Sequence, residues 1–78
     1  MSTFQPVEIP ISELARQKLR QHPNRALKKI SCEFKDGVLI LRGRLPSFYL
    51  KQVTQEIVVR LDGIERIDNQ IEVIRETT

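Results

Sequence analysis

The chain predicts an α+β fold, a single small αββαβ domain in which two helices pack on one face of a three-stranded mixed sheet. Three observations predict it. A two-residue turn, Asp36-Gly37, joins two runs of alternating polarity; amphipathic stretches at helical spacing flank that hairpin on both sides; and one more alternating run follows the second helical stretch.

Residues 1–10 carry two prolines and no periodicity, which reads as an extended or disordered lead-in. Ser12 then offers an N-cap oxygen and Glu13 a carboxylate in the positive first turn, while Ile11, Leu14, Ala15 and Leu19 recur at i, i+3, i+4 and i+8. The spacing predicts a short helix ending near Gln21, before Pro23. Proline disfavours an α conformation for His22, so residues 22–25 form a connector and strand one begins near Lys28.

Asp36-Gly37 suits a type I′ turn, whose two central positions both need positive φ, and this makes Lys35 face Val38. Counting back pairs Phe34 with Leu39, Cys32 with Leu41 and Ile30 with Gly43 on one face. The other face holds Glu33 with Ile40, Ser31 with Arg42 and Lys29 with Arg44. A register shifted by one residue would turn Lys35, Glu33 and Ser31 toward the apolar side, so turn and hydrophobic pattern specify the same pairing. Gly43 removes a side chain where a helix would approach closely.

Pro46 and Ser47 break the strand and cap a second helix with the apolar stripe Leu50, Val53, Ile57, Val58 and Leu61. Glu56 and Arg60 add an i, i+4 pair on its wet side. Gly63 ends this helix as a left-handed terminator, with Ile64 folding back on Val59. Residues 66–75 then alternate Ile67, Ile71 and Val73 against Asp68, Gln70 and Glu72 as a half-buried third strand. A strand–helix–strand connection is right-handed and sets strand three parallel to strand two. The folded domain therefore spans 11–75, and 76–78 are a tail.

Seventy-eight residues bury only about 60% of their unfolded surface, and the single cysteine, Cys32, excludes an intrachain disulfide staple. No stretch approaches the roughly 18 apolar residues of a membrane span, and no positive segment followed by an apolar run opens the chain. As written it reads as soluble, unexported and cytoplasmic. The net charge of +3 favours anionic partners only where cations cluster.

Two segments carry a family resemblance. They are Asp36-Gly37-Val38-Leu39-Ile40-Leu41-Arg42-Gly43-Arg44-Leu45 and, after the second helix, Asp62-Gly63-Ile64-Glu65-Arg66-Ile67-Asp68-Asn69-Gln70-Ile71-Glu72-Val73. The pattern resembles the BON domain, in which a "dG-V-x-L-x-G-x-V" strand precedes a helix and a "v-x-G-V-x-x-V-x-N-x-l-x-V" segment. Leu45, Ile64, Ile67 and Ile71 stand where other aliphatics are usual, and the match spans roughly residues 14–74. The resemblance implies an αββαβ fold, a role in binding phospholipid membranes or envelope partners, no catalytic residues, and a periplasmic or envelope location where the chain is part of a longer one.

The register brings Lys29 opposite Arg44 with Lys28 adjacent, at the end of the sheet where the second helix starts. Phe48, Tyr49 and Lys51 lie in that helix's first turn, whose N–H groups and partial positive charge suit an anion. Lys28, Lys29, Arg44, Phe48, Tyr49 and Lys51 thus form a candidate basic corner for an anionic phospholipid surface or an acidic protein. The plainer reading has the cations keeping a small sheet soluble and the aromatics packing on Leu45 or the lead-in. A second candidate is the uncovered sheet face around Val38, Ile40 and Arg42, as a protein interface or a surface for self-association, or else covered by Phe4, Val7 and Ile9.

Specific nucleic-acid binding is disfavoured, because no GXXG loop and no pair of strand aromatics is present. Catalysis, metal sites and cofactors are not expected. His22 is the only histidine, no serine or cysteine has a base fixed by spacing, and one histidine with one cysteine makes no zinc site. Asn69 suits backbone hydrogen bonding near the start of strand three.

Overall fold

A computed structural model describes residues 9–74. Residues 1–8 of the expected 1–10 lead-in, with Phe4 and Val7, and the tail at 76–78 lie outside the described residues.

Helix α1 spans Ile11–Arg20 and buries Ala15 and Leu19. It starts two residues earlier than Ser12 capping requires. Pro10 occupies the N-cap, its carbonyl accepting from the backbone N–H groups of Glu13 and Leu14. Proline has no side-chain acceptor, so no side-chain cap is made.

A 3₁₀ helix, Arg25–Lys29, fills the stretch expected to open strand one. Asn24 caps it, Oδ1 accepting from the N–H of Ala26 at 2.9 Å, and Leu27 is driven fully into the core. The ladder therefore begins later. Strand β1 (Ser31–Lys35) pairs antiparallel with β2 (Val38–Arg42) in the expected register, with Ser31 opposite Arg42, Cys32 opposite Leu41 and Lys35 opposite Val38. Asp36 and Gly37 have φ of 51° and 81°, the two positive values of a type I′ turn.

The expected pairs Ile30/Gly43 and Lys29/Arg44 do not form. Gly43 ends β2 with φ of 147°, and the chain turns into a separate short strand, β3 (Arg44–Leu45). A Cβ on Gly43 would lie 2.8 Å from Ile30 Cδ1 and 3.4 Å from Ile30 Cα. The close approach expected at this glycine is real, but the neighbour is Ile30 rather than a helix.

Helix α2 spans Phe48–Val58 and buries Leu50, Thr54 and Val58, one per turn. It stops short of Gly63, and a turn closed by the Leu61 N–H on the Val58 carbonyl follows. Leu61 and Ile64 are half-buried against the core, whereas Val59 is exposed. With Arg60 beyond the helix, Glu56 accepts instead from Gln52. Among the described residues it makes no ion pair with Arg60.

The third strand is parallel to β2, as the crossover requires, but it is divided. Strand β4 (Arg66–Asn69) pairs with β2, and β5 (Glu72–Val73) pairs parallel with β3. Backbone bonds run through the break, from Gln70 to Leu41, Glu72 to Gly43 and Ile74 to Leu45, so one register is kept on both sides of Gly43. The main sheet has the order β1-β2-β4.

Cys32, Leu39 and Leu41 point from this sheet into a core shared with Ala15, Leu19, Leu27, Leu45, Leu50, Val58 and Ile71. Phe34 and Ile67 pack at its margin. This is the α+β arrangement expected, with both helices contributing to one core on one side of a mixed sheet. Thr54, the buried polar residue in that core, donates its hydroxyl to the Leu50 carbonyl at 2.8 Å. No helix among the described residues is long and apolar enough to cross a membrane.

Candidate functional site

The N-terminus of α2 is fixed by local chemistry. Ser47 is extended, its Oγ accepts from the Leu50 N–H at 3.2 Å, and its carbonyl accepts from the N–H of Lys51. Because Leu50 and Thr54 must face the core, the preceding positions rotate outward. Phe48 is 60% exposed and Tyr49 is 72% exposed, while Leu45 is buried.

The cations of the expected corner are distributed differently from the sequence reading. Lys28 and Lys29 are exposed at the end of the 3₁₀ helix, which packs against β3. Arg44 faces Glu72 across the β3–β5 pair, 3.9 Å away, with both side chains nearly three-quarters exposed. So open a pair contributes little. Lys51 is half-buried and lines a cleft of about 400 Å³ with Phe48, Gln52, Gln55, Glu56 and Asn69. Arg44 lies in a separate cleft of about 440 Å³ with Leu45, Pro46 and Ile74.

The structure thus joins Phe48 with Lys51, sets Arg44 on the other side of the Pro46-Ser47 turn, and leaves Lys28 and Lys29 outside both clefts. Two participants were missed by sequence reasoning. Glu72 was read only as a wet strand position, because its meeting with Arg44 depends on the parallel register. Ile74, 41% exposed beside Arg44, lies just past the strand alternation.

Asn69 closes the base of the Phe48 cleft. Its Nδ2 donates to the Lys51 carbonyl at 3.3 Å and to Gln55 Oε1 at 3.2 Å, and its Oδ1 accepts from the Ile71 N–H at 3.2 Å. Backbone bonding was expected of it, though at the end of β4 rather than its start.

The uncovered sheet face carries a polar belt. Arg42 donates from Nη1 to Glu33 Oε1 at 2.9 Å and from Nε to Gln70 Oε1 at 3.1 Å, and Gln70 Nε2 donates to Asp68 Oδ2 at 2.7 Å. Val38 and Ile40 are half-buried on this face. Arg42 is thereby committed within the chain.

A groove of about 700 Å³ runs between the helices, floored by Leu14, Val53, Ile57 and Leu61 and rimmed by Lys18, Glu56 and Arg60. His22, also on its rim, uses Nδ1 to accept from the Asn24 N–H at 3.0 Å. Burial pushes the Cys32 thiol up to about 11, with Arg16 pulling it down and Glu13 pushing it up by smaller amounts. A thiol so placed is a small hydrophobe and a poor nucleophile.

Compared with curated proteins, the chain gives no match. Compared with protein families, residues 10–75 match the BON domain. That span takes in the hairpin, the Gly43 break, α2 and the divided last strand, so the chain belongs to the BON domain family, a family of non-enzymatic binding modules.

Proposed function

We propose that this domain is an envelope-type binding module that docks on anionic phospholipid surfaces through the start of α2 and the cations around it. The observation that carries this reading is the exposure of Phe48 and Tyr49, at 60% and 72%, on a capped helix N-terminus with Lys51 in the same turn. Aromatics held outward at a helix start can enter the lipid interface while cations meet the phosphates. Arg44 and Ile74 extend the same chemistry across the Pro46 turn, and Lys28 and Lys29 add long-range attraction.

Charge at a membrane surface contributes about 1 kcal/mol per basic side chain. The double variant Arg44→Glu, Lys51→Glu therefore lowers partitioning onto phosphatidylglycerol-containing vesicles on the order of a hundredfold in co-sedimentation. Phosphatidylcholine vesicles bind the parent protein weakly. Equal sedimentation with the two lipids, or no loss in the double variant, removes the reading.

A further inference from the structure

The outer edge of β1 is an unpaired strand edge with a charge pattern that selects one partner. Sheet order puts β1 at the margin, and among the described residues nothing pairs with its free side. Lys35 and Val38 flank the two-residue turn, so Lys35, Glu33 and Ser31 turn their N–H and C=O groups toward β2. Cys32 and Phe34 turn theirs outward. This edge is a template for another strand.

We propose that the edge pairs antiparallel with the β1 edge of a second copy of this chain, in the register that sets Phe34 opposite Phe34. Three observations select that occupant. First, hydrogen-bond parity fits, because Phe34 presents its outward N–H and C=O to the same groups of its symmetry mate.

Second, this register places Glu33 of each copy opposite Lys35 of the other. Pairing centred on Glu33 would oppose two carboxylates, and pairing centred on Cys32 would oppose Lys35 to Lys29; both are penalised as like charges. Glu33 and Lys35 are both exposed, and Lys35 has no ion pair among the described residues.

Third, Phe34 borders an apolar cleft of about 490 Å³ with Ile9, Pro10, Ile11 and Ser12 at the start of α1, where Ile9 is 43% exposed. The second copy's Phe34 lies beside it and covers that surface. The product is a six-stranded sheet of order β4-β2-β1-β1-β2-β4, with the helices of both copies on one side.

Sedimentation velocity over a series from low to high micromolar tests this without any lipid. The parent chain shifts from monomer to dimer as its concentration rises. Lys35→Glu, at an exposed position, weakens the association at least about tenfold, because two symmetry-related pairs turn repulsive. Glu33→Lys does the same, and the two together restore it.

Register is read from a mixture of Glu33→Cys and Lys35→Cys chains, each with Cys32→Ala. Mild oxidation yields the mixed disulfide in excess over either symmetric one. A monomer at every concentration, as when some other segment fills the edge, overturns the proposal. So does a dimer indifferent to both charge changes, or one in which the Glu33→Cys chain crosslinks chiefly to itself.

Discussion

Gly43 shows how one residue shapes the fold and how far its role can be read in advance. Its φ of 147° is one that L side chains rarely adopt, and a Cβ there would displace Ile30 Cδ1, 2.8 Å away. Gly43→Ala should cost about 1–3 kcal/mol, seen as a lower midpoint in urea unfolding. A close approach at Gly43 was expected from the hairpin count, though with a helix as the neighbour rather than Ile30, and its use as a strand break was not legible, since a positive φ leaves no mark on polarity alternation. Cys32 makes a second prediction. Its thiol is held near 11 against an ordinary 9.0, so the stability gained by burying it neutral is whole below pH 9 and lost as pH rises through about 11. The stability difference between the parent and Cys32→Ala should shrink over that range. Iodoacetamide at pH 8 should label the folded chain far more slowly than the unfolded one; equal rates would show the thiol to be open.

Among elements, the hairpin was legible from Ser31 to Arg42, where its turn chemistry and its alternation are local and agree, but not at its open end, where the pairs expected for Ile30 and Lys29 do not form. The 3₁₀ helix was not, because so short a turn has no periodic apolar signature and Asn24 reads as any connector residue. The same limit hid the division of the last strand. Ile67, Ile71 and Val73 share one parity, with Asn69 in the inward place between them, and only the constant register with β2 and β3 shows where pairing changes partners. Asn69 stands at that point and ties α2 to the sheet through Lys51, Gln55 and Ile71. Asn69→Ala should destabilise the domain by about 1–2 kcal/mol, because the Ile71 N–H loses its acceptor. A larger amplitude of amide exchange at Ile71 than elsewhere would locate the loss. The early end of α2 at Val58 falls within a run of three β-branched residues, Ile57, Val58 and Val59, which gain little from helix once Val58 has reached the core.

At the scale of the molecule, the core is built on one side of a mixed sheet, and the surfaces among the described residues include the groove between the helices, the polar belt over the open face, the β1 edge, and the start of α2. The sequence reading set Phe48, Tyr49 and Lys51 in the first turn of the last of these, where they stand, and misjudged the arrangement of the other cations. The expected Lys29/Arg44 contact is replaced by Arg44 beside Glu72, so the cations form a dispersed field and the aromatics supply the local feature. Family membership gives the coarse class, a binding module, and the exposed aromatic pair is the feature on which the proposed docking site rests.

Tyr49 is the only tyrosine in a chain without tryptophan, so its fluorescence reports on the site itself. Acrylamide quenching of Tyr49 in the presence of phosphatidylglycerol or phosphatidylcholine vesicles is therefore the most direct test. The account predicts that anionic vesicles shield Tyr49 at low salt, that high salt releases it, and that neutral vesicles leave it open. Quenching unchanged by anionic vesicles, with the protein folded throughout, would contradict it.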